Sequence, residues 1–471
     1  MVPSPPFHAI TAVLAIVLFA CGCLQAPSPE AAGAGPSVSP GQGATAVPDL
    51  VGHVGRVAAF ARENGRERTI AALNDPSGPF ASGGVPVYAR DYNGTLLAAS
   101  PGVGPGGTAD PDATDAFGVP YVRHLGETAR YGKGLVSHAS PDPARPGTVR
   151  SMLEAVQDVD GTFYVGAGIS DPGDGLFPIP GPDTGRDRPG VDDLEAFVRG
   201  AAAYGREHGR VAALAAFDDP AGQFSRGPLS VTAFDAGGTV LAGGSGGGAG
   251  VTLPGLNLLN YHDADGVAVV RGMRNLAERG GGLYYTVAPV TVEGREVFLP
   301  VIGSVEPVDR DWWLCAGTVD PAFSGALDGN LTGLFVRNQT RSRLYDLVHR
   351  AVAYAREHGK DQALAAIDDP AGPFVEGDLF VWAESTDGTM LADPFWTSAR
   401  GKNYLDYTDP YGMQTTRVGI DAMEDGTGFS HALFPDTAAN GTAWVPKLVY
   451  QAPVDREWWI GSGVYGVEVR A

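Results

Sequence analysis

The chain is poor in cysteine, histidine and basic residues, and each shortage removes a class of function. Three cysteines in 471 residues imply no disulfide framework. The nine histidines are scattered, with no His-Glu-x-x-His helix. No glycine loop runs into Lys-Ser or Lys-Thr, so a phosphate cradle is not in view. Lysine and arginine number 33 against 54 acidic residues, a net charge of −21. That balance argues against nucleic acid and against an anionic lipid surface as partners. It fits a soluble acidic ectodomain.

Long apolar runs are also scarce. The one that stands out, Ala9 to Ala20, is shorter than the ~20 residues a spanning helix needs and has secretory-signal length. Only His8 and the amino terminus supply positive charge before it. Cys21 and Cys23 follow directly, then a Pro/Ser/Gly/Ala stretch that serves as a linker over 24–48. Leu18-Phe19-Ala20-Cys21 resembles the lipobox of prokaryotic lipoproteins, with Gly22-Cys23 as the rival site. The expectation is a signal segment over 1–23, lipid on Cys21 or Cys23, and a membrane link through that lipid alone. The remaining cysteine, Cys315, sits in an apolar strand-like run and reads as a small core residue.

What the chain does have is repetition. Segments beginning at Glu63-Asn64-Gly65, Glu207-His208-Gly209 and Glu357-His358-Gly359 are versions of one helix–turn. The second and third agree at thirteen of eighteen positions. Offsets of 144 and 150 residues exceed the ~20–50 residue period of a solenoid, so each copy is long enough for its own core. Three tandem domains are expected, over 49–172, 190–321 and 341–471. The linkers between them fall at Asp171–Pro189 and Pro321–Thr340.

The third copy reads most clearly. Leu344, Leu347, Val348, Ala351, Tyr354 and Ala355 recur at helical spacing and mark one apolar face. Gly359 stops that helix, and a short second helix from Asp361 ends at Asp369-Pro370. A strand over 379–384 and a turn at Asp387-Gly388 predict a hairpin, as do Asn93-Gly94 and Gly237-Gly238. The copy closes on Lys447-Leu448-Val449-Tyr450, a reversal at Asp455-Arg456, and Trp458-Trp459-Ile460-Gly461. The fold class is therefore α+β, with a long helix covering one face of an antiparallel sheet.

These segments, in this order with Gly401-Lys402-Asn403-Tyr404-Leu405, resemble the single Cache domain. The resemblance is strong in the third copy, good in the second and degraded in the first. It implies a PAS-like extracytoplasmic sensor module that binds a small organic ligand. Strand alternation places Phe380, Trp382 and Glu384 on one face and Val381 and Ala383 on the other. The pocket is expected to use Phe380, Trp382, Asp393, Tyr404, Lys447 and Tyr450. A buried lysine needs an anionic companion, which a bound carboxylate would supply.

Counting back from the closing strand, Lys447 corresponds to Val301 and Met152, and Tyr450 to Ser304 and Ala155. The polar pair survives in the third copy alone, which marks that copy as ligand-competent. Other polar clusters have plainer explanations. Asp218-Asp219-Pro220 and Asp368-Asp369-Pro370 read as turns. Asp263-Ala264-Asp265-Gly266 is too short for a twelve-residue calcium loop. No metal, cofactor or catalysis is implied. The expected function is capture of a small molecule, an organic acid by preference, with output through a membrane receptor or transporter. The competing expectation is a structural or adhesive surface spacer without a ligand.

Overall fold

The computed structural model describes residues 46–470 apart from 82–84, 102–110, 143–144, 146–147, 172–188, 227–228, 244–251, 293–294, 324–335, 338–339 and 436–443. The expected signal segment with Cys21 and Cys23 lies outside the described residues, as do most of both expected linkers. Among the described residues no helix is long and apolar enough to cross a membrane.

The helix–turn repeat becomes three long helices: α1 (Val47–Asn74), α3 (Val191–His208) and α6 (Arg341–His358). Between α1 and α3 lies the shorter α2 (Tyr121–Arg130), and between α3 and α6 the equally short α5 (Val269–Glu278). Thr340 caps α6 by accepting from the Arg343 amide. Leu344, Leu347, Val348, Ala351 and Ala355 are all buried, so the predicted apolar stripe is the packed face. Gly65, Gly209 and Gly359 have φ of 78, 77 and 83°, a region that disfavours side chains. At Gly65 the chain kinks within α1. After Gly209 and Gly359 it starts α4 (Arg210–Phe217) and α7 (Lys360–Ile367) at once.

Each long helix covers an antiparallel sheet. The first sheet holds β1 (Val87–Asp91), β2 (Leu96–Ala99), β3 (Lys133–Pro141), β4 (Val149–Asp158) and β5 (Phe163–Ser170). The second holds β6 (Thr232–Asp235), β7 (Val240–Gly243), β8 (Gly282–Val292), β9 (Arg295–Pro307) and β10 (Trp312–Val319). The third holds β11 (Leu379–Ser385), β12 (Met390–Ala392), β13 (Phe429–Pro435), β14 (Trp444–Pro453) and β15 (Trp458–Tyr465). All three run in one spatial order: second strand, first, fifth, fourth, third.

One side-chain contact recurs with the same geometry. Arg62, Arg206 and Arg356, each three residues before the helix-ending glycine, donate through Nε to the carbonyls of Val159, Val308 and Val454 at 3.1, 3.0 and 3.1 Å. The arginine thus fastens the closing hairpin to the end of the long helix.

The repeats also interlock. Residues 257–260 run beside β3, with the Leu135 and Ser137 amides donating to Asn257 and Asn260 carbonyls at 3.0 Å each. Just beyond, Asp265 forms a two-pronged pair with Arg337, and Asp263 meets His431 of β13 at 2.8 Å. The Asp263-Ala264-Asp265-Gly266 segment, too short for a calcium loop, is a buried joint between repeats, and it fixes the strand that walls the site described next.

Candidate functional site

In β11 the alternation falls as the sequence pattern requires. Val381 and Ala383 are fully buried in the core shared with α6, and Phe380, Trp382 and Glu384 face the other way. There they line a pocket of about 730 Å³, its open mouth included. Lys447, Val449 and Gln451 of β14 and Trp459 and Tyr465 of β15 extend the sheet wall. Ser430, Ala432 and Phe434 of β13 form one side, and Thr415, Thr416 and Gly419 of α8 (Thr415–Glu424) cover the top. Met390, Asp393 and Trp396 complete it from the loop after the hairpin.

Lys447 is only 6% exposed. Its Nζ lies 4.7 Å from the ring centres of Trp382 and Tyr465 and 5.6 Å from those of Phe380 and Phe434. Among the described residues no carboxylate comes within 4.0 Å of it. Ring faces attract a cation but replace only part of its hydration. Room for the lysine comes from Gly463, where a Cβ would stand 2.4 Å from Lys447 Cε.

Two buried carboxyls share the pocket with this cation. Asp393 accepts from the Phe395 and Trp396 amides at 2.8 and 2.7 Å. Burial raises its pKa above the usual carboxylate value, with those amides and the Lys447 charge opposing the rise. Glu384 is 5% exposed, and burial pushes its carboxyl up to about 8 against the opposing Trp382 indole. Among the described residues its Oε2 has no hydrogen-bond partner, and neither has the Trp459 indole nitrogen.

Of the six residues expected in the site, Phe380, Trp382, Asp393 and Lys447 line this pocket together. Tyr404 sits beside it, against Trp396 (5.1 Å between ring centres) and Tyr407 (5.9 Å). Tyr450 lies on the opposite face of the sheet. Its hydroxyl meets His349 of α6 at 2.9 Å, and its ring packs on Tyr345 and Phe429. The reason is strand geometry: residues three apart point to opposite faces, so Lys447 and Tyr450 cannot share one cavity. Glu384, Gln451 and Trp459 were missing from the expected set. Alternation in β11 already carried the signal for Glu384. For Trp459, beside an equally apolar Trp458, only the pairing register decides.

Register also aligns the repeats. Lys447, Val301 and Met152 pair with Tyr465, Val319 and Ser170 at matching positions of their sheets. Glu384 corresponds likewise to Phe234 and Arg90. In the second repeat Phe234 stacks on Trp313, with centres 4.5 Å apart and planes at 11°, and fills the place of the pocket floor. In the first, Glu154 occupies the matching face. It binds the Tyr88 hydroxyl and His138 (3.0 Å), on which Tyr121 stacks. Burial alone would raise the Glu154 pKa, but these partners bring it below the ordinary value. Its charge is therefore satisfied within the protein.

Among the described residues no three His, Cys, Asp or Glu side chains gather as a metal site requires. No curated protein matches the chain. Solved structures similar to it include a methyl-accepting chemotaxis protein from Vibrio parahaemolyticus, 24% identical over 26% of this chain and 87% of that one (TM-score 0.24). A Cache chemosensory domain described for carboxylic acid recognition is 18% identical over 26% and 86% (TM-score 0.22). The ligand-binding domain of the Pseudomonas fluorescens chemoreceptor CtaA, in complex with L-isoleucine, is 12% identical over 59% and 85% (TM-score 0.21). The family described as single Cache domain 2 matches residues 342–471, the stretch that contains α6, the third sheet and the pocket.

Proposed function

We propose that residues 342–471 capture a small organic acid outside the cytoplasmic membrane, without chemical conversion. The carrying observation is Lys447, a cation 6% exposed among four aromatic rings with no carboxylate in contact among the described residues. A carboxylate entering the pocket would neutralise it in a low-dielectric setting, where the interaction is strongest. On this reading the chain is a lipoprotein of three tandem Cache-like domains. Its output passes through a partner, either a membrane receptor or a transporter.

The test is calorimetry and thermal shift on the full chain with short mono- and dicarboxylates. Saturable binding, with a melting temperature that climbs as ligand is added, is expected for the native chain. Lys447→Met should remove it. An unresponsive native chain, or a variant that binds equally well, would end the proposal.

A second reading applies to the first two repeats, where a specific observation favours it. Phe234 on Trp313, and Glu154 bonded to Tyr88 and His138, fill the positions that form the pocket in the third. These repeats act as scaffold that holds the third at a fixed place.

A further inference from the structure

The end of the pocket away from Lys447 has its own chemistry. Glu384 and Trp459 are direct register partners on β11 and β15, and both side chains line the pocket. Paired residues on one face of a sheet hold their Cβ atoms about 5 Å apart. Both side chains therefore face the floor, and among the described residues the Glu384 Oε2 and the Trp459 indole nitrogen are buried there without a hydrogen-bond partner. Lys447 pairs with Tyr465, six residues along β15 from Trp459, and its stem brings Nζ over Trp382. The Trp382 indole thus lies between the ammonium and the floor.

The second repeat shows that the fold does not require a carboxyl in this place. It has Phe234 there, stacked on Trp313, and closes the space with hydrocarbon. Among the described residues the Trp313 indole nitrogen is also unbonded, so the change at this end of the pocket is glutamate for phenylalanine. Burying a carboxyl with a free oxygen opposes folding, and such a group is retained where a ligand satisfies it.

We infer that the ligand of residues 342–471 is a short carboxylic acid with a hydroxyl at the end opposite its carboxylate, the hydroxyl being read by Glu384 and Trp459. This rests on the reading that Lys447 holds the carboxylate. A hydroxyl donates one hydrogen bond and accepts others, so it satisfies the glutamate oxygen and the indole N–H together. An ammonium cannot accept from the indole and requires an ionised glutamate in a buried floor. A second carboxylate would bring a charge without a cation partner into the buried floor, and a methyl leaves both groups unpaired.

A matched series isolates that end of the molecule: butyrate, 4-hydroxybutyrate, succinate and 4-aminobutyrate, with their three- and five-carbon homologues. Titration calorimetry on the full chain should show the hydroxy acid binding about ten-fold or more tightly than its unsubstituted partner. In Glu384→Leu combined with Trp459→Phe, the ratio of the two affinities should fall to about one. Glu384→Gln keeps both donor and acceptor and should retain the preference, which separates recognition from loss of folding. Equal affinities in the native chain, preference for the diacid or amino acid, or a ratio that survives the double variant would overturn the inference and leave the anion site standing. No binding anywhere in the series would overturn the anion reading and this inference with it.

Discussion

His431 and Asp263 stand 168 residues apart in the chain and 2.8 Å apart in the structure. His431 belongs to β13, whose other face contributes Ser430, Ala432 and Phe434 to the pocket. The Asp263 carboxylate also accepts from the Val267 amide and the Thr286 hydroxyl, both at 3.0 Å. Its neighbour Asp265 is brought down to about 2 by Arg337, against the upward push of burial. One strand therefore touches the ligand site on one side and the joint between repeats on the other.

That joint should be pH-sensitive. Burial lowers the His431 pKa, but Asp263 and Asp265 outweigh it and the net shift is upward. A folded pKa above the unfolded value near 6.5 gives stability that is present below that value and lost as pH rises through the folded one. Breaking a buried pair typically costs roughly 3–5 kcal/mol, so His431→Ala should destabilise by that order at pH 6. Urea denaturation at pH 6 and pH 8 checks it: the gap between native and variant should narrow at the higher pH. A gap of constant size would show that the pair is not ionised in the folded chain.

Gly463 offers a test of the lysine's placement. A methyl there would lie 2.4 Å from Lys447 Cε, yet the backbone at 463 is not among the left-handed glycines and accepts alanine. The lysine stem can swing aside, so Gly463→Ala should cost only ~1 kcal/mol, the low end for overpacking. Displacing the ammonium from its rings should still weaken carboxylate binding about ten-fold or more. Calorimetry beside a melting curve reads both numbers. Unchanged affinity would mean the ligand does not depend on where Nζ stands.

Much of this arrangement could be read from the residues, because the signals were local. Positive φ at Gly209 and Gly359 closes the turns that stop two helices, at Gly65 it kinks a third, and at 94, 238 and 388 it closes the hairpins. Alternation over Leu379–Ser385 assigned Phe380, Trp382 and Glu384 to one face before any partner was known. Tyr450 and Lys447 stand three residues apart on β14, so the same alternation sends them to opposite faces. The joint at Asp263 and Asp265 is beyond the reach of such local signals. Its partners, His431 and Arg337, come from distant segments, and nothing in a four-residue Asp-Ala-Asp-Gly string distinguishes an exposed turn from a buried ion pair. The filled floors of the first two repeats depend equally on cross-strand register.

Glu384 should make the folded chain less stable as pH rises. Burial holds its carboxyl up at about 8, well above the value near 4.3 expected in an unfolded chain. Between those values the folded state binds more protons than the unfolded one, so this contribution is complete below about pH 4 and gone above about pH 8. Asp409 and Asp425, each pushed up to about 6 mainly by burial, act in the same direction. They are common to native and variant chains and drop out of the difference. Glu384→Leu removes the titrating group and places hydrocarbon where the second repeat carries Phe234. The variant should exceed the native chain by roughly 1–4 kcal/mol at pH 8, as when buried charges give way to apolar residues of similar volume. Near pH 5, where the native carboxyl is neutral, the advantage should shrink. Denaturation of both chains at the two pH values measures the difference directly, and parallel stability profiles would show that Glu384 is already ionised in the fold. Added 4-hydroxybutyrate should then raise the native melting temperature more than that of the variant, since only the native floor can bond its hydroxyl.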